Sequence, residues 1–291
     1  MKKLLKIDNF ILKIIACITM AIDHIGVFID IYVPNSPTIN TLVTAFKIIG
    51  RLAFPLYAFL IVEGALHTKS MPKYILRIGI MTLAISTFLL VFEYTNLFGV
   101  VGNAPVSNIF LLFLLSLTTI YCLKQKKWLK LLGLLPFGFI LFVYLGKILK
   151  APYMADFPLA FIPDYGLYGY LIIMGMYLLL SYYKVTVKKM LQTDDMVSAY
   201  EQTAEYKIKY NIFAILPLLI MTLAITVLKY VYPQMNTLNA SIQSYAMLAA
   251  VPLFFYSGKL GFNNKVVKYG FYGFYPMHII LIWAIFTLIY L

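Results

Sequence analysis

The sequence predicts an all-α bundle that crosses a membrane about nine times, and three observations carry that prediction. Of the 291 residues, 62% are hydrophobic and only 12% are charged, against roughly 25% charged in an average soluble domain. The mean hydropathy is +0.87. Apolar residues also come in unbroken runs close to the ~20 residues a helix needs to cross a ~30 Å hydrocarbon core. Unbroken runs argue against a β-barrel, whose strands alternate, and an open sheet cannot satisfy its backbone in lipid.

In chain order the runs fall at about 11–33, 41–66, 74–94, 109–123, 131–149, 167–183, 211–232, 240–257 and 272–291. The first follows Met1-Lys2-Lys3 and is longer than the apolar core of a secretory signal, so it is expected to stay as a helix. The connections test the order of the rest. Lys2, Lys3 and Lys6 precede the first run, 34–40 has no charge, and Lys69, Lys73 and Arg77 follow the second. Residues 95–108 are again uncharged, Lys124, Lys126, Lys127 and Lys130 come next, and 150–166 sets Lys150 against Asp156 and Asp164. Lys184, Lys188, Lys189, Lys207 and Lys209 lie in 184–210, none in 233–239, and Lys259, Lys265 and Lys268 before the last run. Alternation of basic and non-basic loops puts the N-terminus in the cytoplasm and the C-terminus outside. It also accounts for the net charge of +13 without a nucleic-acid partner, because the bases punctuate apolar runs instead of clustering on polar elements.

One membrane domain over 1–291 is expected, with a cytoplasmic amphipathic connector at about 184–210 that carries Asp194, Asp195, Glu201 and Glu205. Cys17 and Cys122 both fall within apolar runs and read as small packing residues. No metal is expected, since two cysteines and three unclustered histidines lack ligand spacing.

Charges inside the runs point to function. An Asp or Arg at the centre of a membrane helix costs roughly 2.5–3.5 kcal/mol on insertion scales, so such residues tend to have a role. Asp23 lies about ten residues into the first run, roughly 15 Å at 1.5 Å per residue, and Arg51 is as deep in the antiparallel second. The depths predict an Asp23–Arg51 ion pair with His24 beside it, serving either as a staple between two helices or as the centre of a reaction. Neighbouring helical positions diverge by about 100°, so Asp23 and His24 cannot both face Arg51. Glu63 and His67, four residues apart, share a face near the cytoplasmic end of the second run, as a helix-end pair or as part of a site. His278 falls in the cytoplasmic third of the last run, in Phe274-Tyr275-Pro276-Met277-His278. Asp164 and Tyr165, in Pro163-Asp164-Tyr165-Gly166, stand at the outer mouth of the sixth run as a turn or a substrate lip.

Ile22-Asp23-His24-Ile25-Gly26, then Gly50-Arg51-Leu52-Ala53-Phe54-Pro55-Leu56-Tyr57 with Glu63-Gly64 and His67, resembles the TraX family, known as conjugal-transfer pilin acetylases. The resemblance continues in Asp164-Tyr165-Gly166, in Ser257-Gly258-Lys259 and in Phe274-Tyr275-Pro276 with His278. It implies a multi-pass enzyme of the cell membrane, the plasma membrane of a bacterium, that moves an acetyl or other acyl group from cytoplasmic acyl-CoA to an amine or hydroxyl. The acceptor would be a pilin-like peptide or an envelope polymer. In that chemistry His24 is the base, oriented by Asp23, and Arg51 completes the ion pair or stabilises the anionic transition state. His278 and Tyr275 would line the path of the thioester arm, Lys259 would meet the CoA phosphates, and Glu63 and His67 belong to the same cofactor side. The alternative is a proton-coupled transporter or channel, with Asp23, Arg51, Glu63 and His278 as the relay.

Overall fold

The computed structural model describes residues 5–95, 108–233 and 240–290. Lys2, Lys3 and most of the uncharged connections expected at 95–108 and 233–239 lie outside the described residues. The helices are α1 (Asn9–Tyr32), α2 (Pro37–Gly50), α3 (Ala53–His67), α4 (Met71–Thr95), α5 (Ile109–Leu123), α6 (Leu134–Ile148), α7 (Gly166–Leu191), α8 (Asp194–Glu201), α9 (Ala204–Val231), α10 (Ala240–Gln243), α11 (Ala250–Phe254) and α12 (Lys265–Tyr290). Among the described residues the only extended pairings are two single bridges, Ile7 with Tyr256 and Asn108 with Pro163.

Among the described residues seven helical stretches are long and apolar enough to cross a membrane, α2 and α3 counting as one over Pro37–His67. Two of the nine predicted runs therefore fall short. The 15 residues of α5 reach about 22 Å. The run at 240–257 is broken into α10, a 3₁₀ turn over Ser244–Ala249, and α11. Many apolar side chains point outward: Leu76, Ile80 and Leu83 form an exposed stripe along α4, which suits a lipid-facing surface rather than a watery one. Hydroxyls along the helices donate to their own backbone, Thr19 to the Ile15 carbonyl and Thr82 to that of Ile78, both at 2.9 Å. The connector at 184–210 is helical too. Thr193 caps α8 by accepting from the Met196 N–H, and Asp194 and Asp195 occupy its first turn, where the helix dipole favours acids.

The second predicted run is not one continuous helix. Pro55 lacks the N–H that would bond the Arg51 carbonyl, and a proline ring crowds the carbonyl four residues back. The chain therefore turns at Arg51 and Leu52, whose N–H groups bond the Ile48 and Ile49 carbonyls at 3.2 Å, and α3 begins at Ala53.

The chain divides into two compact units. The first comprises Met1–Leu60, Leu178–Val227 and Asn239–Leu291; the second comprises Ile61–Tyr177 and Leu228–Leu238. In the first, α1 lies along α2 with Phe46 set against Gly26, where a Cβ would come within 2.8 Å of the Phe46 Cβ. Two ion pairs tie these helices: Arg51 to Asp23 at 2.9 Å and Lys47 to Asp30 at 2.7 Å. The order is reversed along the chain, Asp23 with Arg51 and Asp30 with Lys47, as two antiparallel helices require. At the start of α1, Asp8 accepts from the Ile11 N–H at 2.8 Å. Ile7 and Asn9 bond the backbone of Phe255, Ser257 and Lys259. Asn211, on α9, donates to the Phe254 and Tyr256 carbonyls at 2.9 and 2.8 Å.

In the second unit Asn108 is completely buried. Its amide donates to Ser86 Oγ at 2.9 Å and to the Ala160 carbonyl at 3.3 Å, and its oxygen caps α5 by accepting from the Leu111 N–H at 3.1 Å. Lys124 Nζ, just after α5, donates to the Ala65 carbonyl at 2.9 Å and so caps the end of α3.

Candidate functional site

The site lies in the first unit. Asp23 and His24 are neighbours on α1, and successive helical positions point about 100° apart; Asp23 turns to α2 and His24 to α12. Arg51 Nη2 donates to Asp23 Oδ1 at 2.9 Å, with the two side chains 17% and 22% exposed for Asp23 and Arg51 respectively. Gly50 makes this approach feasible, because a Cβ there would land on the Asp23 carboxylate. Arg51 has further partners: its Nε donates to the Lys47 carbonyl at 3.2 Å and its Nη1 to Gln243 Oε1 at 3.4 Å. The bend imposed by Pro55 thus puts a guanidinium where it reaches α1, α2 and α10 together.

On the other side, His24 Nδ1 lies 2.7 Å from His278 Nε2. His278 Nδ1 donates to the Phe274 carbonyl at 2.7 Å. The His278 ring is buried, stacked on Phe274 at a centroid distance of 4.8 Å and met by the edge of Tyr275 at 5.9 Å. The second nitrogen of His24 makes no hydrogen bond among the described residues. A fixed cation, a neutral acceptor nitrogen and an apolar setting can take up a proton and steady a developing negative charge at one place. Elsewhere in this unit Cys17 is not purely apolar packing, since its Sγ lies 3.1 Å from the Tyr57 hydroxyl.

The expected Asp23–Arg51 pair is thus present, and the side chain that meets the His24 ring is His278 while Asp23 faces Arg51. The reason is angular: the Asp23 carboxylate is committed to Arg51 on a different side of α1. His278, expected along the thioester path, stands against His24, and Tyr275 is packed on its edge. Lys259 is exposed, on the loop that bonds the start of α1.

In the second unit, Glu63 is buried, and His67 Nδ1 lies 2.9 Å from the Glu63 carbonyl oxygen and 3.5 Å from its Oε2. That is the geometry of a helix-end pair. Asp164 Oδ1 accepts from the Tyr165 N–H at 2.9 Å, Tyr165 takes a positive φ of 57°, and Gly166 N–H bonds the Pro163 carbonyl at 3.2 Å. These contacts form a turn that launches α7. Among the described residues no three His, Cys, Asp or Glu side chains gather to hold a metal ion.

Two polar partners escaped the sequence reading. Gln243 is almost fully buried, and its signal was an amide inside an apolar run. The Asp30–Lys47 rung could have been found from its spacing to Asp23 and Arg51.

Apolar helices that enclose an ion pair joined to a histidine pair define a polytopic membrane protein with a polar centre. The particular family follows from comparison: the family model described as TraX protein matches residues 9–242, most of the chain, and the chain belongs to the TraX family. The match ends before Gln243 and α12, so the blocks at 257–259 and 274–278 lie outside it. Neither the curated proteins nor the solved structures provide a match.

Proposed function

We propose that the chain is a membrane-embedded acyltransferase, acting in the plasma membrane of a bacterium. It moves an acetyl group from cytoplasmic acetyl-CoA to an amine or hydroxyl of a pilin-like peptide or envelope polymer. Membership of the TraX family supports acyl transfer, and the observation that carries the reading is the His24–His278 contact one helical position from the Asp23–Arg51 ion pair.

In this mechanism His24 accepts the proton of the acceptor N–H or O–H as the acceptor attacks the thioester carbonyl. The new C–N or C–O bond forms, the C–S bond breaks, and the proton passes from His24 to the departing CoA thiolate. Arg51, held by Asp23 and Gln243, steadies the oxyanion of the tetrahedral intermediate. Tyr275 and Lys259 belong to the acyl-CoA side. Glu63 and His67 are assigned to acyl-CoA after the family resemblance, and Asp164 and Tyr165 to the acceptor after their place in the turn before α7.

The test is turnover by the purified full-length protein in lipid nanodiscs, supplied with acetyl-CoA and a panel of amine and hydroxyl acceptors. Acceptor-dependent release of free CoA thiol is the expected result. Proton flux in proteoliposomes without thiol release would overturn it in favour of a proton-coupled transporter.

A further inference from the structure

We infer that His278 is a positioning residue, which holds His24 in the tautomer protonated at Nδ1 so that Nε2 is the nitrogen offered to the acceptor; its importance for catalysis rests on the acyl-transfer reading above. The Phe274 carbonyl has no proton to give. His278 Nδ1, 2.7 Å away, must be the donor. A neutral imidazole carries one N–H, so His278 Nε2 is an acceptor. The 2.7 Å contact between the rings then requires His24 Nδ1 to donate, and the lone pair of His24 remains on Nε2. Among the described residues no carboxylate pairs with either ring, the nearest acid in sequence, Asp23, being paired with Arg51.

A histidine that merely fills space would need only its ring buried. His278 instead commits both nitrogens to one line, from a backbone carbonyl through its own ring to His24, and its plane is fixed by Phe274 and Tyr275. This is how a third group orients a catalytic base: it selects the tautomer and the ring angle without touching substrate. The carbonyl at the end of the line belongs to α12 itself, one turn before His278, so the helix sets the proton's address.

The experiment is ¹⁵N NMR of histidine-labelled full-length protein in nanodiscs, in which three histidines make assignment by single substitution direct. His24 is expected to be protonated at Nδ1 and bare at Nε2. His278→Ala should mix the two tautomers and lower kcat by about 10²-fold, within the range a general base contributes, with KM for acetyl-CoA little changed. His278→Gln, whose amide oxygen can accept from Nδ1, should restore the tautomer and part of kcat. Wild-type His24 protonated at Nε2, or a tautomer unmoved in His278→Ala, would overturn the positioning role. Should His278→Ala fail to fold, the wild-type tautomer and His278→Gln decide the matter alone. A wild-type protein with the expected tautomer but no acetyl transfer would sustain the positioning role and refute the acyltransferase reading.

Discussion

His24 and His278 meet nitrogen to nitrogen at 2.7 Å, although 254 residues separate them in the sequence. One position earlier on the same helix, Asp23 is bound to Arg51 at 2.9 Å. Adjacent residues of α1 thus join two different helices, and each side of the site can be perturbed separately.

The ion pair is the first side. Removing one partner takes from the other, partly buried charge the counterion it holds at 2.9 Å. Asp23→Ala and Arg51→Ala should each destabilise the protein, and the double variant should recover part of the loss. A double-mutant cycle read by thermal unfolding is expected to give a coupling of about 1–3 kcal/mol. A coupling indistinguishable from zero would mean that the pair holds nothing together.

Gly50 makes a sharper prediction. A methyl there would occupy the space of the Asp23 carboxylate, so Gly50→Ala should cost about 1–3 kcal/mol through overpacking and impair acetyl transfer. Gly138 in α6 has open space around its Cβ position. Gly138→Ala should be neutral or up to about 1 kcal/mol stabilising, from helix propensity alone. Thermal unfolding of the two variants side by side checks the contrast.

Pro55 sets stability against activity. Replacing it with alanine supplies the missing N–H to the Arg51 carbonyl, favours one continuous helix from α2 into α3, and should raise stability by up to about 3 kcal/mol. Straightening the turn would draw Arg51 away from Asp23 and Gln243, so kcat should fall. Unfolding midpoint and turnover measured on one preparation would show the two moving in opposite senses; a variant with unchanged turnover would detach the bend from function.

Asn108 tests the second unit. Its side chain satisfies Ser86 and Ala160 while capping α5. Asn108→Ala leaves Ser86 and the Ala160 carbonyl only their bond to each other and takes the cap from the Leu111 N–H, an unsatisfied buried group costing about 1–3 kcal/mol. A large drop in unfolding midpoint is expected, and a drop of a degree or less would contradict this role.

Much of the fold was legible in the sequence because lipid imposes a length on apolar runs, and because insertion costs make each buried charge stand out. Asp23 and Arg51 could be paired on paper, since their depths in neighbouring antiparallel helices follow from counting residues. The partner of His24 could not, because which distant helix packs against one side of α1 is a tertiary fact with no local signature. The break between α2 and α3 was readable in principle from Pro55, but the unbroken apolar run masked it. Gln243 and Asn108 carry no charge and so left no mark in the alternation of basic and uncharged loops.

If His24 is the base of an acyl transfer, single-turnover transfer of labelled acetyl from acetyl-CoA to an accepted amine separates wild type from His24→Gln at matched folded concentration. The transfer rate is expected to fall by about 10²-fold or more with acetyl-CoA binding retained. Transfer at the wild-type rate by the His24→Gln protein would contradict it.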